Sequence, residues 1–160
     1  MRLIRDVLAF RPRGRGTDIP GALDYAARLL AHRGIIFLLS DFALGGDAAS
    51  DAYARWEKTL RLVSRRHDVV GISIADPAEL DLPDVGIVAM EDPESGELTF
   101  VDTGSERVRT EFTAQLARER AGVQRLFRRL GVDEIAVRTD EGYVKPLLAF
   151  FRRREKQRSR

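Results

Sequence analysis

The sequence predicts an α/β fold with a mostly parallel sheet flanked by helices. Two short, continuous apolar runs, IIFLLS at residues 35–40 and VVGISIA at 69–75, are too short for most helices and read as strands buried on both faces. Segments with helical spacing of apolar residues alternate with them, the order that builds a parallel sheet. An acid follows each run, Asp41 and Asp76, and in such sheets ligands sit beyond the carboxyl ends of the strands.

Each element has a local reason. Leu3, Ile4, Val7 and Leu8 recur at helical spacing and predict a helix end over 2–10. RPRGRGTD, residues 11–18, is a loop punctuated by Pro12, Gly14 and Gly16. A helix follows over 19–33. Thr17 or Asp18 can cap it, Pro20 is tolerated in its first turn, and Leu23, Ala26, Ala27 and Leu30 form its stripe before Gly34 stops it. After the strand 35–40 comes a Gly/Ala-rich loop, 42–49. Tyr53, Trp56, Leu60 and Val63 then fall on one face of a helix over 50–66.

The strand 69–75 ends at Asp76-Pro77. Residues 85–90 and 97–102 flank DPESG and predict a β-hairpin. Ser105 opens a long helix to Leu130, with Val108, Phe112, Leu116, Val123, Phe127 and Leu130 turned inward and Gly131 closing it. Val132–Val137 is a third short strand, and 144–154 a last helix. Beyond the strand ends, attention falls on Asp41, Asp76 and Thr139–Asp140.

A length of 160 residues fits one domain with a real core, and 44% hydrophobic with 32% charged residues excludes a disordered chain. No run approaches the roughly 18 apolar residues of a membrane span. Cysteine is absent, which excludes disulfides, thiolate zinc sites and cysteine nucleophiles and fits a reducing compartment. The N-terminus lacks the apolar region of a secretory signal, so the expectation is a cytoplasmic chain. The net charge of +2 is uneven: residues 151–160 carry six basic groups against one acid, leaving the body acidic. The chain therefore divides into a body, 1–151, and a basic tail, 152–160. The tail's charge does not make the body a nucleic-acid binder, and no aromatic interleaving suggests one.

The strongest local signal is GRGTD (14–18) together with FLLSD (37–41). The first is a Gly-rich loop at a helix start and the second puts a carboxylate at a strand end. The Thr17 hydroxyl and the Asp41 carboxylate are hard oxygen ligands that suit Mg²⁺. Plain capping and turn chemistry accounts for each piece separately.

With RLIRDVLAFRPRGRGTDIPGAL, IIFLLSDF, RRHDVVGISIADPAELDLPDVG, VDTG and TDEGYVKPLLAFFRRR, nearly the whole chain resembles a bacterial family. It is the one catalogued as domain of unknown function fifty-eight, von Willebrand factor A-like proteins often encoded beside MoxR-type AAA+ ATPases. The resemblance implies a Rossmann-like, von Willebrand factor A-type fold with a metal-ion-dependent adhesion site (MIDAS). That site uses an Asp-x-Ser-x-Ser loop, a Thr from a second loop and an Asp from a third. Thr17 matches the Thr and Asp41 the Asp. No Asp-x-Ser-x-Ser precedes Thr17, and SDAYARW (50–56) has the wrong spacing. The resemblance thus implies that the first strand and its loop, and the N-terminal membrane helices such proteins often carry, lie outside this sequence. The chain looks like the C-terminal half of such a protein.

Enzyme readings fare less well. FLLSD imitates a Walker B strand without a GK[ST] loop, and GRGTD fails the dinucleotide spacing. An aspartyl-nucleophile phosphatase would want an acid where Ala43 stands. His32 and His67, near helix ends, read as cations complementing helix dipoles. The tail reads as a solvated, frayed terminus or as a patch for an anionic lipid or acidic partner.

The expected function is a non-enzymatic protein–protein interaction module, with a MoxR-type ATPase implied as partner and an acidic partner side chain completing the shell of a bound Mg²⁺. The alternative is a small hydrolase in which Asp41 and a metal activate water. Residues 35–40 should offer an open edge for self-association unless the 85–102 hairpin covers it.

Overall fold

The computed structural model describes residues 2–11, 16–43, 51–91 and 96–158. Their order is α1 (Arg2–Ala9), α2 (Ile19–Leu29), β1 (Ile35–Ser40), α3 (Asp51–Arg66), β2 (Asp68–Ala75), a 3-10 turn (Pro77–Glu79), β3 (Ile87–Glu91), β4 (Leu98–Asp102), α4 (Glu106–Leu130), β5 (Asp133–Arg138) and α5 (Val144–Arg158). Strands β1, β2 and β5 form a parallel sheet in the order β1-β2-β5, with Ile36 opposite Val69 and Ile72 opposite Ile135. The mixed α/β architecture and its parallel sheet are as expected. Strands β3 and β4 pair antiparallel as a separate two-stranded sheet. Among the described residues the hairpin therefore leaves the outer edge of β1 open. Half of the loop 11–18, including Gly14, most of the loop 42–49 and nearly all of DPESG lie outside the described residues.

The larger core lies on one face of the sheet, where α2, α3 and α4 pack. Leu23, Ile36, Trp56, Leu60, Leu126 and Phe127 are buried together there. Phe42, Trp56 and Phe127 form an aromatic cluster with ring centroids 5.2–6.1 Å apart. Gly71 lets α4 approach: a Cβ there would stand 2.4 Å from the Phe127 ring. Gly131, at φ 67, closes α4 in the left-handed conformation only glycine adopts freely, and Val132 N donates to Phe127 O at 2.9 Å. On the opposite face α5 covers Val70 and Ile135 with Phe150.

Three expectations need correction. First, α2 ends at Leu29 and not near residue 33, because Leu30 already takes an extended backbone and begins the approach to β1. Second, β1 is not buried on both faces: Ile35, Phe37 and Leu39 are 55%, 42% and 60% exposed. The reason is coverage, since α5 lies over β2 and β5 and meets β1 at its margin, where Phe151 contacts Phe37 edge to face. Third, the basic segment is not a frayed end. Helix α5 continues to Arg158, and Arg154 donates to Asp68 at 2.5 and 2.6 Å and to Asp133 at 2.8 Å. Arg153 adds a 3.1 Å contact to Asp133. These acids begin β2 and β5, so the end of the chain clamps the amino ends of two strands.

His67 is buried beside that clamp, and Gly34 N–H donates to its Nδ1 at 3.3 Å. Through that contact it ties β1's entry to β2's. His32 lies exposed beyond the end of α2.

Candidate functional site

Local chemistry places Asp41 at the carboxyl end of β1. Asp41 Oδ1 accepts from Ala43 N at 3.1 Å and from Ser40 Oγ at 3.2 Å, and Phe42 N donates to Ser40 Oγ at 3.0 Å. Phe42 itself sits at φ 56, a conformation a bulky residue seldom takes. Such strain costs about 1–3 kcal/mol. It is offset by burial of the Phe42 ring against Trp56 and Phe127, and the resulting bend leaves Asp41 exposed.

Thr17 precedes Asp18, whose Oδ1 caps α2 by accepting from Gly21 N at 3.0 Å. Arg55 of α3 lies 3.5 Å from the same Asp18 oxygen. The cap is therefore Asp18, which leaves Thr17 as an exposed hydroxyl residue just ahead of it. At the end of β2, Asp76 accepts from Ala78 N at 2.8 Å and from Thr139 Oγ1 at 2.9 Å. The sequence pointed to Asp76 and Thr139 separately, and the fold joins them. Asp140 is held by Arg138 through two bonds of 2.9 and 3.0 Å. That hydrogen bond holds the Asp140 carboxyl below its ordinary range.

A recess of about 240 Å³ opens between α4 and the carboxyl halves of β2 and β5, lined in part by Asp41, Ser73, Glu79, Arg120 and Glu134. Ser73 Oγ donates to Glu134 Oε1 at 2.7 Å, bridging the two strands.

Among the described residues no group of three or more His, Asp or Glu side chains converges. Thr17 and Asp41 supply one hydroxyl and one carboxylate, and one oxygen of that carboxylate already serves its turn. Mg²⁺ asks for near-octahedral oxygen coordination. The pair by itself does not fit such an ion.

Sequence reading missed the most firmly built feature of this rim. The hairpin leaves the end of β2 and returns at the start of α4, so it stands at the same end of the sheet as Asp41 and Asp76. Its base is bolted by Thr103, fully buried, whose Oγ1 donates to Gly86 O at 2.6 Å and accepts from Val85 N at 3.2 Å. Arg109 of α4 donates to Thr103 O at 2.6 Å and lies 3.5 Å from Asp84. Asp102 accepts from Gly104 N at 3.0 Å. The segment VDTG (101–104) carried a signal for this, a polar turn directly before a helix start. Above the base, Ile87 lies opposite Asp102, Ala89 opposite Phe100 and Glu91 opposite Leu98. Ile87 and Phe100, 73% and 74% exposed, share one outward face with Leu98.

Comparison with known proteins adds the following. The family described as "Protein of unknown function DUF58" matches residues 1–122. "Uncharacterized protein MAV169" of Mycobacterium avium is 31% identical over 145 residues, covering 91% of this chain and 80% of that protein. "Uncharacterized protein Mb1516" of Mycobacterium bovis and "Uncharacterized protein Rv1480" of Mycobacterium tuberculosis are each 32% identical over 139 residues. Those matches cover 87% of this chain but 41% of either relative, so the chain spans about two-fifths of their length. No solved structure matches the chain.

Proposed function

The chain belongs to the DUF58 family, and from that premise we propose that it is a non-enzymatic protein–protein interaction module of von Willebrand A type, working with a MoxR-type AAA+ ATPase. The observation that carries this reading is the hairpin β3–β4. A two-stranded hairpin is marginal in water by itself. This one is fastened at its base by Thr103 and Arg109, yet presents Ile87, Leu98 and Phe100 to solvent. A rigid support under an apolar surface suits docking, because little ordering entropy remains to be lost on binding. The rim beside it, with Asp41, Asp76 and Asp140, supplies a polar border.

Thr17 and Asp41 do not make a magnesium site alone, and docking through the hairpin needs no bound ion. Titration calorimetry on the isolated chain should give Mg²⁺ binding at millimolar affinity or weaker.

The test is capture of a purified MoxR-type AAA+ ATPase from the source organism. The wild-type chain should bind it. Ile87→Asp combined with Phe100→Asp should weaken binding by about tenfold or more, with an unchanged circular-dichroism spectrum. Equal binding by the double variant, or none by the wild type, would overturn the reading. Turnover of a substrate lost in Asp41→Ala would favour a hydrolase instead.

A further inference from the structure

The outer edge of β1 lies well away in sequence from the hairpin and raises a separate question. β1 is the outermost strand of its sheet, and among the described residues no backbone hydrogen bond reaches it from the far side. Asp68 N donates to Gly34 O, so Gly34 faces β2. Alternation along the strand then turns the N–H and C=O of Ile35, Phe37 and Leu39 toward the open side. The strand IIFLLS holds none of the charges, prolines or glycines that blunt edges. The side chains of those three residues are also the exposed ones on the face that α5 leaves uncovered. Open backbone and open apolar surface therefore coincide.

We infer that β1 pairs with β1 of a second copy of this chain, antiparallel about a two-fold axis passing at Phe37. A two-fold perpendicular to the sheet keeps equivalent faces on the same side, so each residue must meet one of its own face. It also requires outward-facing residues to meet each other. With the axis at Phe37, Phe37 meets Phe37, Ile35 meets Leu39, and Ile36 meets Leu38. The same register brings Arg33 of one copy opposite Asp41 of the other, at both ends of the pair. Arg33 is exposed and has no ion-pair partner among the described residues, and Asp41 has Oδ2 left after Oδ1 serves its turn. Shifting the register by two puts Asp41 against Ile35 and loses that complementarity. Charge thus selects the occupant and the register that the apolar strand alone leaves open. The two three-stranded sheets would become one continuous sheet, with the Phe37 and Phe151 rings of both copies meeting over the axis.

The chain has no cysteine, so single cysteines report the register cleanly. Residues across a hydrogen-bonded antiparallel pair have Cα atoms about 5.5 Å apart, within the roughly 4.4–6.8 Å range of a disulfide. Phe37→Cys should therefore form a disulfide-linked dimer under mild oxidation. Leu39→Cys, about 13 Å from its symmetry mate, should not. By sedimentation the wild-type chain should be dimeric on the order of tens of micromolar. Arg33→Glu and Asp41→Arg should each weaken the dimer roughly three- to tenfold, and the two together should restore it. A monomer at these concentrations, equal cross-linking at 37 and 39, or no rescue by the charge swap would overturn the inference. Cysteine variants that do not keep the wild-type circular-dichroism spectrum are replaced by the charge-swap pair, which decides by itself.

Discussion

On one face of the sheet α2, α3 and α4 bury Trp56, Leu60, Leu126 and Phe127 almost completely, while on the other, among the described residues, α5 covers β2 and β5 and leaves Ile35, Phe37 and Leu39 in solvent. The less covered face is the more apolar one, with Ile35, Phe37, Leu39, Val70, Ile72 and Ile135 against Ser40, Gly71, Ser73 and Glu134 on the other, so composition does not account for the difference. The number of helices laid over each face does. An apolar run thus reports what a strand can bury and not what the surrounding chain in fact buries. The exposed half is where a partner has something to gain.

The sharpest way to break the comparison is to remove one ring from each face. Phe127→Ala should cost about 3–5 kcal/mol, because the cavity would open beneath Gly71 among rings that cannot collapse into it. Phe37→Ala should stay within about 0.5 kcal/mol in dilute solution, since its ring is 42% exposed. Urea unfolding of both variants at low protein concentration decides. Similar losses would mean the two faces are not finished differently.

A smaller effect is expected at the end of α5. Arg154→Ala should cost about 2 kcal/mol by leaving Asp68 and Asp133 without their shared guanidinium. Arg153→Ala, which removes one exposed contact, should cost under about 1 kcal/mol. Melting temperatures of the pair would separate a clamp from a solvated basic end. Equal and negligible shifts would restore the solvated one.

The smallest expected effect is at the opposite rim. Arg138 holds the Asp140 carboxyl below its usual range, so the native state binds that proton less tightly than the unfolded chain. The resulting stability is fully present above the ordinary carboxylate range of about 4 and is lost as pH falls through the depressed value. Asp140→Asn should flatten that part of the acid limb in urea midpoints taken between about pH 6 and about pH 2. An unchanged slope would show that this exposed pair contributes nothing.

Much of the fold was legible because its signals are local. IIFLLS reads as a strand from six residues, Gly131 as a helix stop from one, and the hairpin from its turn. The candidate site was legible only as separate residues. Asp41 and Asp76 could be placed at strand ends, but the bond from Thr139 to Asp76 spans 63 positions and leaves no local trace. Phe42's left-handed backbone was illegible for the same reason, since its cost is offset by Trp56 and Phe127 far along the chain. Thr103 stood in plain view in VDTG, yet its function depends on Gly86 and Val85 being brought beside it.

By itself the sequence determined the element types and their order, the parallel arrangement they compel, the family, and the polar character of the carboxyl-end rim. Periodicity, caps and turns act between near neighbours, so they are written in the chain. Only the tertiary structure decided which face of β1 is covered, that Arg154 reaches Asp68 from 86 positions away, and that the hairpin stands bolted with its apolar face outward. Those outcomes depend on how many elements compete for one surface and on which distant groups meet, and neither quantity exists until the chain has packed.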